Sequence, residues 1–183
     1  LAFGASDTIV GHANGWATNA SCSVRWWNQR TDCDYGAGFL FMLFLADNLG
    51  GGAAIQQLVA DTRTGGNGII HLAQTRGPSN TPIGNTMSDI FANFTASVAL
   101  DHSSQPEFGL DNIDMYEACG SEVFCRLTLS GSNLNWGGGV WQTTNLDMEG
   151  WGVHAFRFLD GTGSPLNLMV QPTELGFAGS GTP

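Results

Sequence analysis

The sequence has no lysine and few charged residues of any kind. Only 12% of its 183 residues are charged, and six arginines are set against sixteen acidic residues, so the formal net charge is −10. A chain of this charge lacks the basic surface that binds phosphate backbones or anionic lipid headgroups. We therefore expect neither nucleic acid nor an anionic membrane surface as a partner. The acidic balance suits a protein that works outside the cell.

Long hydrophobic runs are absent as well. The longest covers residues 39–46, far short of the roughly 20 residues that cross a bilayer. No transmembrane helix is predicted. The sequence starts at Leu1 within a pattern that is typical of folded protein, and no charged leader precedes it. We therefore expect that any secretion signal has already been removed.

The four cysteines fall into two local pairs. Cys22 and Cys33 bracket a short tryptophan-rich loop, and Cys119 and Cys125 bracket a turn-like segment. An even count in local pairs predicts two disulfides and an oxidising compartment, and therefore an extracellular or cell-surface location. The spacings differ from Cys-x-x-Cys and no histidine lies at ligand spacing, which makes a zinc site less favoured. Three pairings of four cysteines stay open.

A helical pattern covers residues 34–100. Residues 35–48 are apolar on nearly all sides, which predicts a buried central helix with Asp34 as its N-cap and the glycines at 50–52 as its end.

Two further helices are expected in this half. The first is a short amphipathic helix at residues 53–62, followed by a glycine-rich turn at 65–68. Residues 69–72 are too short to classify. The motif Thr86-x-x-Asp89 is a capping-box variant that predicts a helix to residue 100.

The pattern changes to short strands from about Cys125. Residues 123–129, 153–159 and 166–170 are apolar or alternating runs separated by turn-forming residues, as expected for antiparallel strands. The predicted fold class is therefore α+β, a helical half followed by a small antiparallel β-rich region. We divide the chain into a disulfide-stapled tryptophan-rich loop region, a helical lobe and a β-rich C-terminal extension, at residues 1–34, 35–118 and 119–183.

The central helix carries a resemblance to a known family. Tyr35-x-x-Gly38-Phe39, the apolar residues that follow it and the closing Leu49-Gly50-Gly51 resemble the Tyr-x-x-Gly helix of aminopeptidase-type gluzincins. The opening Tyr35-Gly36 is similar to that of secreted bacterial metallopeptidases of the hyicolysin type. The order of elements agrees through about residue 101 and more loosely to 171. The resemblance implies that the helical half is similar to the C-terminal lobe of a gluzincin zinc metallopeptidase.

The resemblance also implies a conditional catalytic role for Tyr35. In the aminopeptidase branch this tyrosine donates a hydrogen bond to the developing oxyanion, which requires a metal-bound water beside it. The family binds zinc through His-Glu-x-x-His, with a downstream glutamate as third ligand. None of the four histidines of this chain begins or ends that motif; they are His12, His71, His102 and His154. We expect no cofactor in this chain, and zinc only if a missing segment supplies the ligands.

Acidic residues offer a weak candidate for calcium. They are Asp111, Asp114, Glu117 and Glu122. Their spacing does not match an EF-hand loop, which favours a solvated acidic turn.

Six tryptophans suggest contact surfaces. Three lie in the N-terminal region and three lie among glycines in the second part: Trp16, Trp26, Trp27, Trp136, Trp141 and Trp151. Exposed aromatic rings on glycine-rich loops form protein or carbohydrate contacts, whereas buried ones fill the core of a loop-rich domain. Both interpretations stay open for individual tryptophans.

Two hypotheses for function follow. The favoured one is a secreted or cell-surface structural or interaction protein on a metallopeptidase-like scaffold, without its own zinc site, that binds a protein partner or self-assembles into an oligomer or polymer. The alternative is the C-terminal fragment of a secreted zinc metallopeptidase whose metal-binding half lies on another chain or was removed. The chain alone is not expected to be an enzyme, but it would be a zinc metallopeptidase if completed by such a half.

Overall fold

The computed structural model describes residues 7–18, 22–24, 31–77, 83–100, 131–135 and 155–159, with Leu110 and Val153. The helices are α1 (Asp7–Thr18), α2 (Thr31–Leu49), α3 (Gly52–Ala60), α4 (Gly66–Arg76) and α5 (Met87–Leu100), and the strands are β1 (Gly131–Asn135) and β2 (Ala155–Leu159). The described part is mainly helical, which confirms the predicted helical half.

The first two helices form an antiparallel hairpin. Near one end Gly15 of α1 faces Asp32 of α2, and further along His12 and Trp16 face Gly36. Residues 7–18 were predicted as part of a loop region, and they form α1 instead. Two glycines and an asparagine give this segment poor helix propensity, so packing on α2 stabilises the helix.

The start of α2 corrects a second expectation. Asp34 is not the N-cap, because the helix already begins at Thr31, and Asp34 lies in its first turn with its side chain buried. Acidic side chains are favourable in the first turn of a helix as well as at its N-cap, since both positions feel the positive end of the dipole. The predicted boundary at residues 34/35 therefore cuts through α2.

The two helices approach so closely that side chains are excluded between them. A Cβ atom added to Gly36 would lie 2.0 Å from the backbone oxygen of His12, and one added to Gly15 would lie 2.7 Å from Cβ of Asp32. Real Cβ atoms do not approach backbone atoms at such distances. Glycine is therefore required at the crossing.

The core is organised around Phe94 of α5. Its ring lies edge-on to those of Phe41 and Phe44 of α2, with centroids 5.2 and 5.7 Å away, and tilted against Trp16 of α1 at 5.9 Å. Edge-to-face pairs at these distances are favourable beyond the area they bury. Since Trp16 and Phe94 are fully buried, α1, α2 and α5 share one hydrophobic core.

Glycines end α2 as predicted. Gly50 and Gly51 have φ angles of 105° and 69°, and the Gly51 N–H donates to the Ala46 carbonyl at 2.7 Å. The predicted short helix is confirmed as α3. The predicted glycine-rich turn is only partly present, because α4 already begins at Gly66 and also contains the unclassified residues 69–72.

The capping box at the start of α5 is confirmed. The Asp89 N–H donates to Thr86 Oγ1 at 3.2 Å, and Asp89 Oδ2 accepts from the Thr86 N–H at 3.1 Å. This reciprocal pair satisfies backbone donors that the first helical turn leaves without partners.

The described strands differ from the expected antiparallel arrangement. β1 and β2 pair in parallel, with Gly131 opposite Ala155 and Asn135 opposite Leu159. The connecting segment is long enough for the crossover that parallel strands need. β2 lies within the predicted strand at 153–159, whereas the predicted strands at 123–129 and 166–170 lie outside the described residues. This single pair does not establish a β-rich extension.

Among the described helices, none is both long and apolar enough to cross a membrane by itself. α2 and α3 pass such a test only together, and a bend of 110° separates them.

We predict opposite effects for alanine at two glycines of α2. Gly36→Ala should lower the free energy of unfolding by about 1–3 kcal/mol, because the new methyl group must displace the His12 backbone. Gly38→Ala is the matched control, since a Cβ there meets nothing within 4 Å, and it should raise stability by about 0.5–1 kcal/mol. Urea unfolding of both variants measures the difference. Equal stability of the two variants would rule out the close crossing.

The capping box predicts a pH dependence of stability. The hydrogen bond with the Thr86 side chain, followed by those with backbone N–H groups, lowers the pKa of Asp89 from its ordinary value of 3.8. Its contribution is therefore present above the unfolded-state pKa and is lost as the pH falls below it and through the folded-state pKa. Thermal unfolding should show Asp89→Asn less stable than the unmodified chain at neutral pH, with the gap closing in strong acid. A gap that is constant with pH contradicts this assignment.

Candidate functional site

Three side chains with chemical functionality meet at the start of α2. The His12 Nδ1–H donates to Asp32 Oδ1 at 2.9 Å, and the imidazole stacks on the Tyr35 ring with centroids 5.1 Å apart and planes inclined by 27°. We call these three residues the Tyr35 cluster. The His12 side chain is 22% exposed and that of Asp32 is 73% exposed, while Tyr35 is 48% exposed overall. The cluster is therefore accessible from solvent.

The cluster is a consequence of the helix hairpin. Asp32 and Tyr35 are three residues apart on α2, a spacing that places side chains on the same face of a helix. His12 reaches both of them because the backbone of α1 lies against Gly36, the residue that follows Tyr35. A wider crossing would separate the imidazole from its two partners.

Cys22 and Cys33 hold the same end of the hairpin together. The two residues form a disulfide, with Cα atoms 6.1 Å apart, between the segment that follows α1 and the first turn of α2. Both are buried in the shared core. The structure thus pairs these two cysteines as predicted, whereas Cys119 and Cys125 lie outside the described residues.

The residues that follow His12 on α1 differ from the zinc motif of the resembled class. Zinc peptidases of the resembled class place a general-base glutamate directly after the first histidine and a second histidine four residues after it. Here Ala13 and Trp16 occupy these positions, and both are fully buried. The Trp16 indole packs against Phe94, and its Nε1 atom is buried without a hydrogen-bond acceptor among the described residues.

The other acidic and histidine residues that the structure describes do not extend the cluster into a metal site. Within the described part of the chain, no group of three or more His, Cys, Asp or Glu side chains is placed to bind a metal. His71 lies on α4. The other candidates from the sequence lie outside the described residues; they are His102, His154, Asp111, Asp114, Glu117 and Glu122.

A second ionic contact lies in the loop between α3 and α4. Asp61 Oδ1 accepts from the Arg63 backbone N–H at 2.8 Å, and both of its carboxylate oxygens accept from the Arg63 guanidinium. The backbone hydrogen bond is the largest cause that lowers the pKa of Asp61. These contacts lie within one loop, and we assign them a structural role.

Sequence reasoning identified Tyr35 and missed its two partners. His12 was treated as isolated because it lies 23 positions before Tyr35 in the chain, and nothing local signals that the two rings meet. Asp32 could have been found from its spacing to Tyr35, had the first turn of α2 been recognised.

Comparisons with known proteins do not identify a family for this chain. No family model, curated protein or solved structure matches it. The resemblance to gluzincins therefore depends on the residues of the Tyr35 helix and stays a proposal.

Removal of the disulfide should destabilise the hairpin. The bond links residues separated by 11 positions, and closure of a loop of this size contributes about 3 kcal/mol by restricting the unfolded chain. We expect the double variant Cys22→Ala, Cys33→Ala to lose this amount in urea unfolding. The reduced unmodified chain serves as the control and should lose at least as much. Unchanged stability of the double variant would show that the bond does not form in solution.

Proposed function

We propose that this chain is a secreted or cell-surface structural or interaction protein that uses a gluzincin-like helical scaffold without a zinc site of its own. The Tyr35 cluster is part of its contact surface. The chain acts by binding a protein partner, and the catalytic role that resemblance implies for Tyr35 is not used in the chain by itself.

One observation carries this proposal, the burial of Trp16 one turn after His12. An indole fully enclosed between α1, α2 and Phe94 contributes to folding through its buried area. A histidine at this position would leave a cavity and a polar ring in the core. The scaffold therefore gains stability from a residue that cannot ligate zinc.

The exposure of Tyr35 supports a contact role. Tyrosine is enriched at binding hot spots because it offers a large contact area at a low cost in conformational entropy. Here the ring is already oriented by the stack with His12, so less freedom is lost when a partner binds.

Three features from the sequence complete the proposal. The paired cysteines support an oxidising compartment. Residues 119–183 are proposed to form the β-rich extension. Self-assembly is proposed to use its tryptophan-containing, glycine-rich segment, since aromatic rings on such loops make contact surfaces.

The peptidase fragment is the second candidate, and the accessibility of Tyr35 favours it. A tyrosine that is 48% exposed at the head of its helix can be reached by groups from another chain. A separate polypeptide with the zinc ligands would then complete the site and give Tyr35 its role as an oxyanion donor.

Zinc analysis and a peptidase assay on the purified full chain test whether it has a zinc site and an activity of its own, which the first candidate excludes. After exposure to zinc chloride and dialysis, we expect the chain to retain no stoichiometric zinc. Any peptide hydrolysis that remains should be equal in the unmodified chain and in Tyr35→Phe. The Phe variant keeps the ring and removes only the hydroxyl donor, so it isolates the catalytic role. Stoichiometric zinc together with hydrolysis that depends on the Tyr35 hydroxyl would overturn the proposal. Sedimentation velocity tests self-assembly, and a single monomeric species at every concentration would contradict it.

A further inference from the structure

The Asp32 carboxylate is held in position but not enclosed. Its Oδ1 atom accepts from His12, and its side chain is 73% exposed. A carboxylate offers about four lone-pair sites on its two oxygens, and among the described residues only His12 donates to it. Asp32 can thus accept further hydrogen bonds from a ligand without breaking its contact with His12.

An aromatic ring lies beside this carboxylate. Asp32 contacts the edge of the His12 imidazole, and Tyr35 contacts its face. Asp32 and Tyr35 are also three residues apart on α2, so their side chains share one face of the helix, and a planar cation bound to Asp32 can extend toward the ring. His12 thus contacts both the Asp32 carboxylate and the Tyr35 ring.

The charge of the chain favours a cationic ligand. The net charge is −10, and Asp32 and Asp34 both lie in the first turn of α2. The positive end of the helix dipole, roughly half a unit charge, offsets only part of these two carboxylates. Both arginines whose side chains are described have partners elsewhere, Arg63 on Asp61 and Arg76 on Gln57.

We propose that the Tyr35 cluster binds an arginine side chain presented by a basic segment of a different protein. This inference rests on the proposed role as an interaction protein and names the partner class. A planar guanidinium makes two parallel hydrogen bonds to a carboxylate and stacks on an aromatic ring. A lysine ammonium lacks the planar fork, so it matches this pair of groups less well.

A second copy of the chain is the less favoured occupant. Two copies that each carry a charge of −10 repel one another. The described arginines of a second copy would also have to leave Asp61 or Gln57 before they could bind. The negative electrostatic field that repels a second copy attracts a basic segment of another protein.

His12 acts as a positioning residue in this site. It holds the Asp32 carboxylate by a hydrogen bond and the Tyr35 ring by stacking, so the two groups are oriented before a ligand arrives. Orientation in advance lowers the entropy lost on binding.

The test uses the full chain and three synthetic peptides. These contain repeats of Gly-Ser-Arg, Gly-Ser-Lys or Gly-Ser-Gln, and binding is followed by NMR chemical shifts of the isotope-labelled protein. We expect the arginine peptide to shift the signals of His12, Asp32 and Tyr35, the lysine peptide to bind about threefold more weakly, and the glutamine peptide not to bind.

Variants locate the binding. Asp32→Asn should weaken binding of the arginine peptide about fivefold because the charged acceptor is lost, and Tyr35→Ala about threefold because the ring is lost. Asp89→Asn is the matched control, since it removes one exposed negative charge at the start of α5, and it should leave the affinity unchanged.

Several outcomes would overturn the inference. Equal losses in Asp32→Asn and Asp89→Asn would show attraction to net charge alone, and equal binding of the arginine and lysine peptides would exclude guanidinium recognition. A self-association that Asp32→Asn abolishes would identify a second copy as the occupant. If zinc and hydrolysis are absent but the arginine peptide does not bind, only this inference fails. If the peptide binds and a Tyr35-dependent peptidase is found, the proposed function fails instead.

Discussion

The backbone of α2 at Gly36 lies against the carbonyl of His12, with no room for even one methyl group between the helices. The packing of α1 on α2, and with it the candidate site, depends on this contact. It brings Trp16 into the core beside Phe94, which in turn packs against Phe41. The same approach places His12 between Asp32 and Tyr35 on the outer side of the hairpin. One packing constraint thus sets both the stability of the helical half and the geometry of its candidate site.

The two sides of α1 have different roles. Within the hairpin, Ala13 and Trp16 are buried and contribute to packing. On the solvent side, His12 keeps a polar role by orienting a carboxylate and an aromatic ring. Recognition of a partner needs only such fixed groups, whereas hydrolysis needs a metal and a general base in addition. The proposed change from catalysis to binding therefore requires no change of the scaffold.

The expectations that were confirmed depend on interactions between near neighbours in the chain. The end of α2 is set by the conformational freedom of Gly50 and Gly51, and the start of α5 by two side chains three residues apart. Two of the expectations that were wrong depend on distant contacts. α1 has poor intrinsic propensity and is helical because α2 packs on it, and the parallel pairing of β1 with β2 joins segments on either side of residues 136–154.

By itself, the sequence determined the acidic charge, the central apolar helix, its glycine end and the capping box of α5, and it favoured a local pairing of Cys22 with Cys33. These properties follow from composition and from residues close together in the chain. Only the tertiary structure decided that His12 meets Asp32 and Tyr35, and that Trp16 is buried where a second histidine would be needed. The physical reason is the close crossing of α1 and α2. Gly36 allows this crossing because it has no side chain, and its importance is visible only once α1 is packed against it.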